Sequence, residues 1–175
     1  MRPDEGFKNL DVLADEFYFN AINKGFRGPG IANEAYEQAA LIHSELSEAL
    51  EAIRHGDPPD DKIPEFSGTE AELADTIIRI LDYCRSQNFK LQKVFDSPYN
   101  PPDFDSSEFQ SGGSVIGRLH TTIATAFQGY HTAFATALNT IKAFANHKGY
   151  RLAEAILAKN AYNSTRPYKH GGKKF

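Results

Sequence analysis

Hydrophobic positions recur with a helical period along almost the whole chain. Leu10, Leu13 and Phe17 mark a first amphipathic segment over residues 7–23, which runs into the breaker cluster Lys24-Gly25-Phe26-Arg27-Gly28-Pro29-Gly30. A second segment, residues 33–55, carries Ile42, Leu46, Ala49, Leu50 and Ile53 on one arc and stops at Gly56. Asp57-Pro58-Pro59-Asp60-Asp61 reads as a polar loop. A third helix is predicted over 70–87, with Leu73, Thr76, Ile77, Ile80 and Cys84 on its apolar arc. Thr69 followed by Glu72 fits a capping box at its start. A short helical piece over 91–95 precedes residues 97–113, whose prolines, glycines and serines read as a linker or long loop. Helices resume over 115–127, 130–147 and 152–163, punctuated by Gly129 and Gly149. The tail, 164–175, is basic and has no clear period. No segment reads as a strand, so the expected fold class is all-α, a helix bundle forming one domain over 1–175.

A weak internal repeat runs through this pattern. Ile80, Tyr83, Asn88, Phe89, Lys90 and Leu91 recur 61 positions later as Ile141, Phe144, Gly149, Tyr150, Arg151 and Leu152. Ala133 and Thr136 then stand where the first set has Glu72 and Asp75. Two readings are open: a degenerate second helical hairpin, or two hairpins that merely end alike.

Composition narrows the class. With 175 residues, 41% hydrophobic and 24% charged, the chain can bury a core without disulfides or metal staples. A net charge of −4 argues against a nucleic-acid coat, and no stable nucleic-acid complex is expected. Cys84 is the single cysteine, which excludes an intrachain disulfide and fits a reducing compartment. Its place on an apolar arc reads as a buried, inert thiol. No run approaches the ~20 apolar residues of a membrane span, and the first ten residues lack the apolar run of a signal peptide. The expectation is a soluble, cytoplasmic protein.

The candidate chemistry lies in the carboxylates. Glu45 and Glu48 are about 60° apart on the second helix, beside its apolar arc; Glu72 and Asp75 repeat that layout on the third. If these helices are antiparallel neighbours, four carboxylates converge at the edge of the core. Like charges in a partly desolvated site push one another's pKa up, and a hard divalent cation removes the conflict. Acids three apart also occur on solvated faces, and Glu72 has a second account as the capping partner of Thr69. The matched layout on consecutive helices is what points to metal. Glu51 and Asp82 fall farther round, as exposed residues or supports behind the ligands. A di-iron bundle would need histidines three residues after glutamates, and neither His43 nor His55 qualifies.

Ser44-Glu45-Leu46-Ser47-Glu48, with Glu51-Ala52 after it, resembles the E-E-x-x-E element of MazG-like pyrophosphohydrolases, and Glu72-Leu73-Ala74-Asp75 resembles their E-x-x-D element. The run from Lys159-Asn160 through Asn163, Arg166-Pro167 and His170-Gly171-Gly172-Lys173 looks like the K-N-x-x-N-x-x-R-P-x-x-H-G-G-K ending of one bacterial branch. The resemblance covers about residues 35–95 and 148–175. It implies an all-α fold that hydrolyses nucleoside triphosphates to monophosphate and pyrophosphate, with magnesium, or manganese, held by Glu45, Glu48, Glu72 and Asp75. One departure is plain: Ser44 stands at the first glutamate of the pattern, where it can hold a water but supplies no charge. Residues 96–147 are longer than the minimal pattern and have no role assigned.

From residue 155 onwards there are five lysines and arginines, Lys159, Arg166, Lys169, Lys173 and Lys174, and no acids. Composition alone fits a solvated basic tail. The resemblance instead implies substrate binding by Lys159, Asn163, Arg166, Lys169 and His170, with Tyr168 able to stack on a base. The expected activity is nucleotide-pool house-cleaning. A catalytically inactive helical nucleotide- or partner-binding module and a phosphoribosyl-ATP pyrophosphohydrolase are the alternatives. A homodimer or higher oligomer is expected, or a pseudo-dimeric chain.

Overall fold

The computed structural model describes residues 9–29, 31, 34–107, 109 and 111–173. Residues 7 and 8 of the first predicted helix, Gly30 of the breaker cluster, Asn33 at the predicted start of the second helix and Lys174 of the tail lie outside the described residues. The described chain is all-α, with helices α1 (Leu10–Asn23), α2 (Ala35–Arg54), α3 (Gly68–Ser86), α4 (Gln92–Phe95), α5 (Gly112–Phe127), α6 (Thr132–Lys148), α7 (Leu152–Thr165) and α8 (Lys169–Gly172). An isolated bridge between Pro59 and Ser67 is the one β-type pairing among these residues. Among the described residues no helix is long and apolar enough to cross a membrane.

Helices α2, α3, α6 and α5 pack in a closed ring; α1 and α7 flank α3, and α4 lies on α6. The ring buries Ile42 and Leu46 of α2, Leu73, Ile77 and Ile80 of α3, Leu119 and Ile123 of α5, and Phe134, Leu138 and Ile141 of α6. Each such side chain is worth about 1.5–3 kcal/mol of burial, so tertiary packing rather than helix propensity holds these segments. Helix α3 is central: thirteen of its residues are buried, which is why polar residues on it end up inside.

The start of α3 corrects the sequence expectation. Ser67, not Thr69, caps the helix: its hydroxyl accepts from the Glu70 N–H at 3.3 Å, and the Glu70 carboxylate accepts from the Ser67 N–H at 2.9 Å. Both serine–glutamate and threonine–glutamate pairs satisfy the motif, and the preceding loop selects between them. The Gly68 N–H donates to the Pro58 carbonyl at 2.7 Å and the Thr69 N–H to Asp57 at 2.8 Å, so the first turn is satisfied one step earlier. Glu72 is thereby released from capping. Helix α5 also starts earlier than predicted, at Gly112, because the Ser111 hydroxyl accepts from the Ser114 N–H at 3.2 Å. Of the acids placed farther round their helices, Glu51 is exposed and pairs with Arg54 at 2.9 Å, whereas Asp82 is nearly buried and pairs with Arg27 at 2.5 Å.

The correspondence between the two hairpins extends into three dimensions. Buried Leu73, Ala74, Thr76, Ile77, Ile80, Tyr83 and Cys84 of α3 match, in the same order and spacing, buried Phe134, Ala135, Ala137, Leu138, Ile141, Phe144 and Ala145 of α6. Both helices end on a left-handed residue, Asn88 and Gly149, with φ 58° and 73°. The N–H of the next residue closes the same bond in each, Phe89 to the Cys84 carbonyl at 2.8 Å and Tyr150 to the Ala145 carbonyl at 2.9 Å. Along α2 and α5, His43 meets His120 across the helix pair, 77 positions apart. At that spacing Gln38, Ile42, Leu46 and Ala49 match Val115, Leu119, Ile123 and Ala126, all buried.

Candidate metal centre and cleft

Glu45 from α2 and Glu72 and Asp75 from α3 offer carboxylate oxygens that all lie within 4.8 Å of one another. The ring packing puts them there. Glu45 sits at the edge of the α2 apolar arc, which faces α3, and Glu72 and Asp75 are a turn apart on the same side of α3. Arg79, the next turn on from Asp75, donates its Nε to Glu45 at 2.5 Å. Lys159 of α7 is wholly buried, with its ammonium 3.0 Å from Asp75, 3.5 Å from Glu72 and 3.5 Å from Asp60. Asp60 comes from the α2–α3 connection and is held there by the N–H groups of Lys62 and Ile63, which donate to its other oxygen at 3.0 and 2.9 Å. Asn163 donates to Asp75 at 3.4 Å.

Burial pushes the Glu72 carboxyl up to about 8; Lys159 opposes this, and the carboxylates of Asp75 and Glu45 add to it. Burial also raises Asp75, again against the pull of Lys159. Burial disfavours the Lys159 ammonium, but the surrounding carboxylates of Asp75, Glu72 and Asp60 outweigh it and hold the group charged. Glu72 Oε2 is buried with no hydrogen-bond partner, an arrangement that is costly unless something else meets that oxygen.

Glu45, Asp75, Arg79 and Asn163 of this cluster border a cleft of about 370 Å³, a volume in the range of small-molecule sites. Glu45, Asp75 and Glu48 line the acidic wall; Phe17, Leu41 and Ile78 are apolar; Lys24, Lys62, Arg166, Lys169, His170 and Lys173 bring positive charge or donors. Glu48 is the predicted ligand that stands outside the trio. It is exposed and accepts from the Ser44 hydroxyl at 3.2 Å.

The tail closes over the turn that follows α1. The Lys169 N–H donates to the Lys24 carbonyl at 2.9 Å, and the Lys24 ammonium to the Arg166 carbonyl at 2.5 Å. His170 meets the Phe26 ring edge-on with centroids 4.8 Å apart, and the Lys169 ammonium lies 5.1 Å from the centre of that ring. Tyr168, a candidate for base stacking, lies against Gly25 instead, where a Cβ would strike its ring. Arg166, Lys169 and His170 therefore reach the cleft, whereas Lys159 is enclosed among the acids.

His170 is held down to about 4, by burial first and then by the charges of Arg166, Lys173, Arg79 and Lys24. The folded chain thus resists protonating a group that the unfolded chain protonates near 6.5. This contributes stability above pH 6.5 that is lost as pH falls towards 4. Asn tolerates the left-handed backbone of His170 (φ 48°) and does not titrate, so the stability of wild type relative to His170→Asn should fall between pH 6.5 and 4 in thermal melts. A pH-independent difference would contradict the assignment.

Sequence reasoning missed several residues of the cleft and of the acid cluster beside it. Arg27 donates to Gln38 at 2.7 Å and to Asp82 at 2.5 Å, a buried trio that fixes the turn to α2 and α3. Arg79 had a signal, since it follows Asp75 by one helical turn. Asp60, in an aperiodic loop, had none. Cys84 is buried and its thiol is pushed up by burial, as expected. No family model, no curated protein and no solved structure matches this chain.

Proposed function

We propose that this chain is a divalent-cation-dependent nucleoside triphosphate pyrophosphohydrolase, of the all-α type that its acid motifs and tail resemble. One observation carries the reading: a single cleft is lined both by Glu45 and Asp75 of the carboxylate trio and by Lys24, Arg166 and Lys169. A polyphosphate with its cation is complementary to such a lining, because phosphate pairs with the bases and the cation with the acids.

The residues fit a hard cation. Every donor is a carboxylate oxygen, the three converge within 4.8 Å, and the buried Glu72 Oε2 lacks a partner. Glu45, Glu72 and Asp75 would hold magnesium or manganese. When bound, such an ion neutralises phosphate oxygens and lowers the pKa of a coordinated water. The chain's own groups do the rest. Arg166 and Lys169 offset phosphate charge, and Phe17, Leu41 and Ile78 offer an apolar surface to a base. Glu48, exposed and outside the trio, is the carboxylate able to take a proton from water at the cleft.

The matched hairpins support a pseudo-dimeric chain with one site. Positions matching Glu45, Glu48, Glu72 and Asp75 are Thr122, Thr125, Ala133 and Thr136, which supply no charge. Lys159 and Asn163 come from α7, which follows the second hairpin in the chain and packs directly on α3 of the first. Because α5 covers the α2 face within the chain, a second copy is not required to complete the bundle.

The test is pyrophosphate release from a panel of canonical and modified ribo- and deoxyribonucleoside triphosphates and phosphoribosyl-ATP, with magnesium and with a chelator. Magnesium-dependent release from at least one member is expected. Folded protein that releases none overturns the enzymatic reading and favours a nucleotide-binding module, the reading to which Ser44 and the ammonium among the acids already lend some weight.

A further inference from the structure

The acid cluster already contains a cation. Lys159 is the one wholly buried lysine among the described residues, and its ammonium faces Asp75, Glu72 and Asp60 at 3.0, 3.5 and 3.5 Å. Two of these three are also members of the trio whose oxygens lie within 4.8 Å of one another. An ammonium and a divalent ion placed on the same carboxylates repel strongly in a site this dry. Both cannot keep full contact with Glu72 and Asp75.

The surroundings make Lys159 the group that can yield. Glu45 is secured by Arg79 at 2.5 Å, and Asp60 is fixed by two backbone N–H groups. Glu72 and Asp75 project from the most buried helix of the bundle. Lysine is a compact charge on a flexible four-carbon stem, and its contacts with Glu72 and Asp60 are long. Its helix neighbours Asn160 and Asn163 line the cleft, so displacement leads towards the space a phosphate would enter.

We propose that Lys159 is the resident cation of this centre: its ammonium holds the carboxylates of Glu72 and Asp75 together in the metal-free protein and gives way when a divalent cation enters. This rests on the metal reading of the trio. It makes Lys159 a positioning residue that keeps the empty site folded, sets a threshold for metal loading and frees an ammonium towards the cleft only after the metal has arrived.

The experiment is manganese binding by calorimetry, without nucleotide, on the full chain and on Lys159→Met, with thermal melts in chelator and in manganese. In chelator the variant is expected to melt below wild type, because the carboxylates lose their internal counter-charge. In manganese its affinity is expected to be tighter by about tenfold or more, since nothing has to be displaced. A lysine that stays in place as a structural ion pair gives unchanged or weaker manganese affinity on removal, and that result overturns the proposal while leaving the metal reading intact. Absence of manganese binding in both proteins overturns both. If Lys159→Met does not fold in chelator, amine acylation of wild type followed by mass spectrometry decides: labelling of Lys159, normalised to exposed Lys148, should rise severalfold with manganese, and unchanged or slower labelling overturns the proposal.

Discussion

Asp75→Asn is expected to reduce magnesium-dependent pyrophosphate release by at least about 100-fold while leaving the circular dichroism of the helices unchanged. The side chain is part of the carboxylate trio and also meets Lys159 at 3.0 Å and Asn163 at 3.4 Å. The amide keeps the shape and the hydrogen-bonding reach but removes the charge that a hard cation requires. A bound ion contributes several kcal/mol of charge stabilisation in the transition state, so its loss exceeds a tenfold effect comfortably. The fold should survive, because the core contacts of α3 run through Leu73, Ile77 and Ile80. Glu48→Gln is the instructive comparison. Glu48 stands outside the trio, so that variant should retain manganese binding and lose turnover. Normal turnover by the Asp75 variant would refute the site.

Arg27→Met should destabilise the protein by about 3–5 kcal/mol in urea denaturation. The Arg27 and Asp82 side chains are 5% and 14% exposed, 2.5 Å apart, and Arg27 also donates to Gln38. Removing the arginine leaves the Asp82 carboxylate and the Gln38 carbonyl oxygen buried without that partner, and this orphaning is the larger part of the cost. Asp82→Asn should be destabilising as well, and the double variant should lose less than the sum of the two, since neither side then keeps an unpaired charge. A loss under about 1 kcal/mol for Arg27→Met would place the pair among solvent-screened surface bridges.

The carboxylate cluster was legible because it rests on local spacing. Glu45 with Glu48 and Glu72 with Asp75 lie on the shoulders of apolar arcs, and the packing of α2 on α3 then brings three of these four together. The capping register of α3 was misread because two adjacent Ser/Thr-x-x-Glu patterns compete and Asp57, in the loop, settles the matter by accepting from the Thr69 N–H. Glu48 was grouped with the ligands on the same periodic argument, yet it stays exposed against Ser44, since a helical spacing states a direction and not a depth.

By itself the chain's sequence determined the all-α class, the helices with nearly their observed limits, the buried thiol and the carboxylate helices, all of which follow from a period of 3.6 residues and from breaker residues. Only the tertiary structure decided that Asp60 and Lys159, nearly one hundred residues apart, face the same carboxylates, that Arg27 is buried against Asp82, and that the tail folds back over the turn after α1. Those contacts join distant segments. They depend on which helix faces are covered by which neighbours, and pairing of that kind leaves no periodic trace in the order of residues.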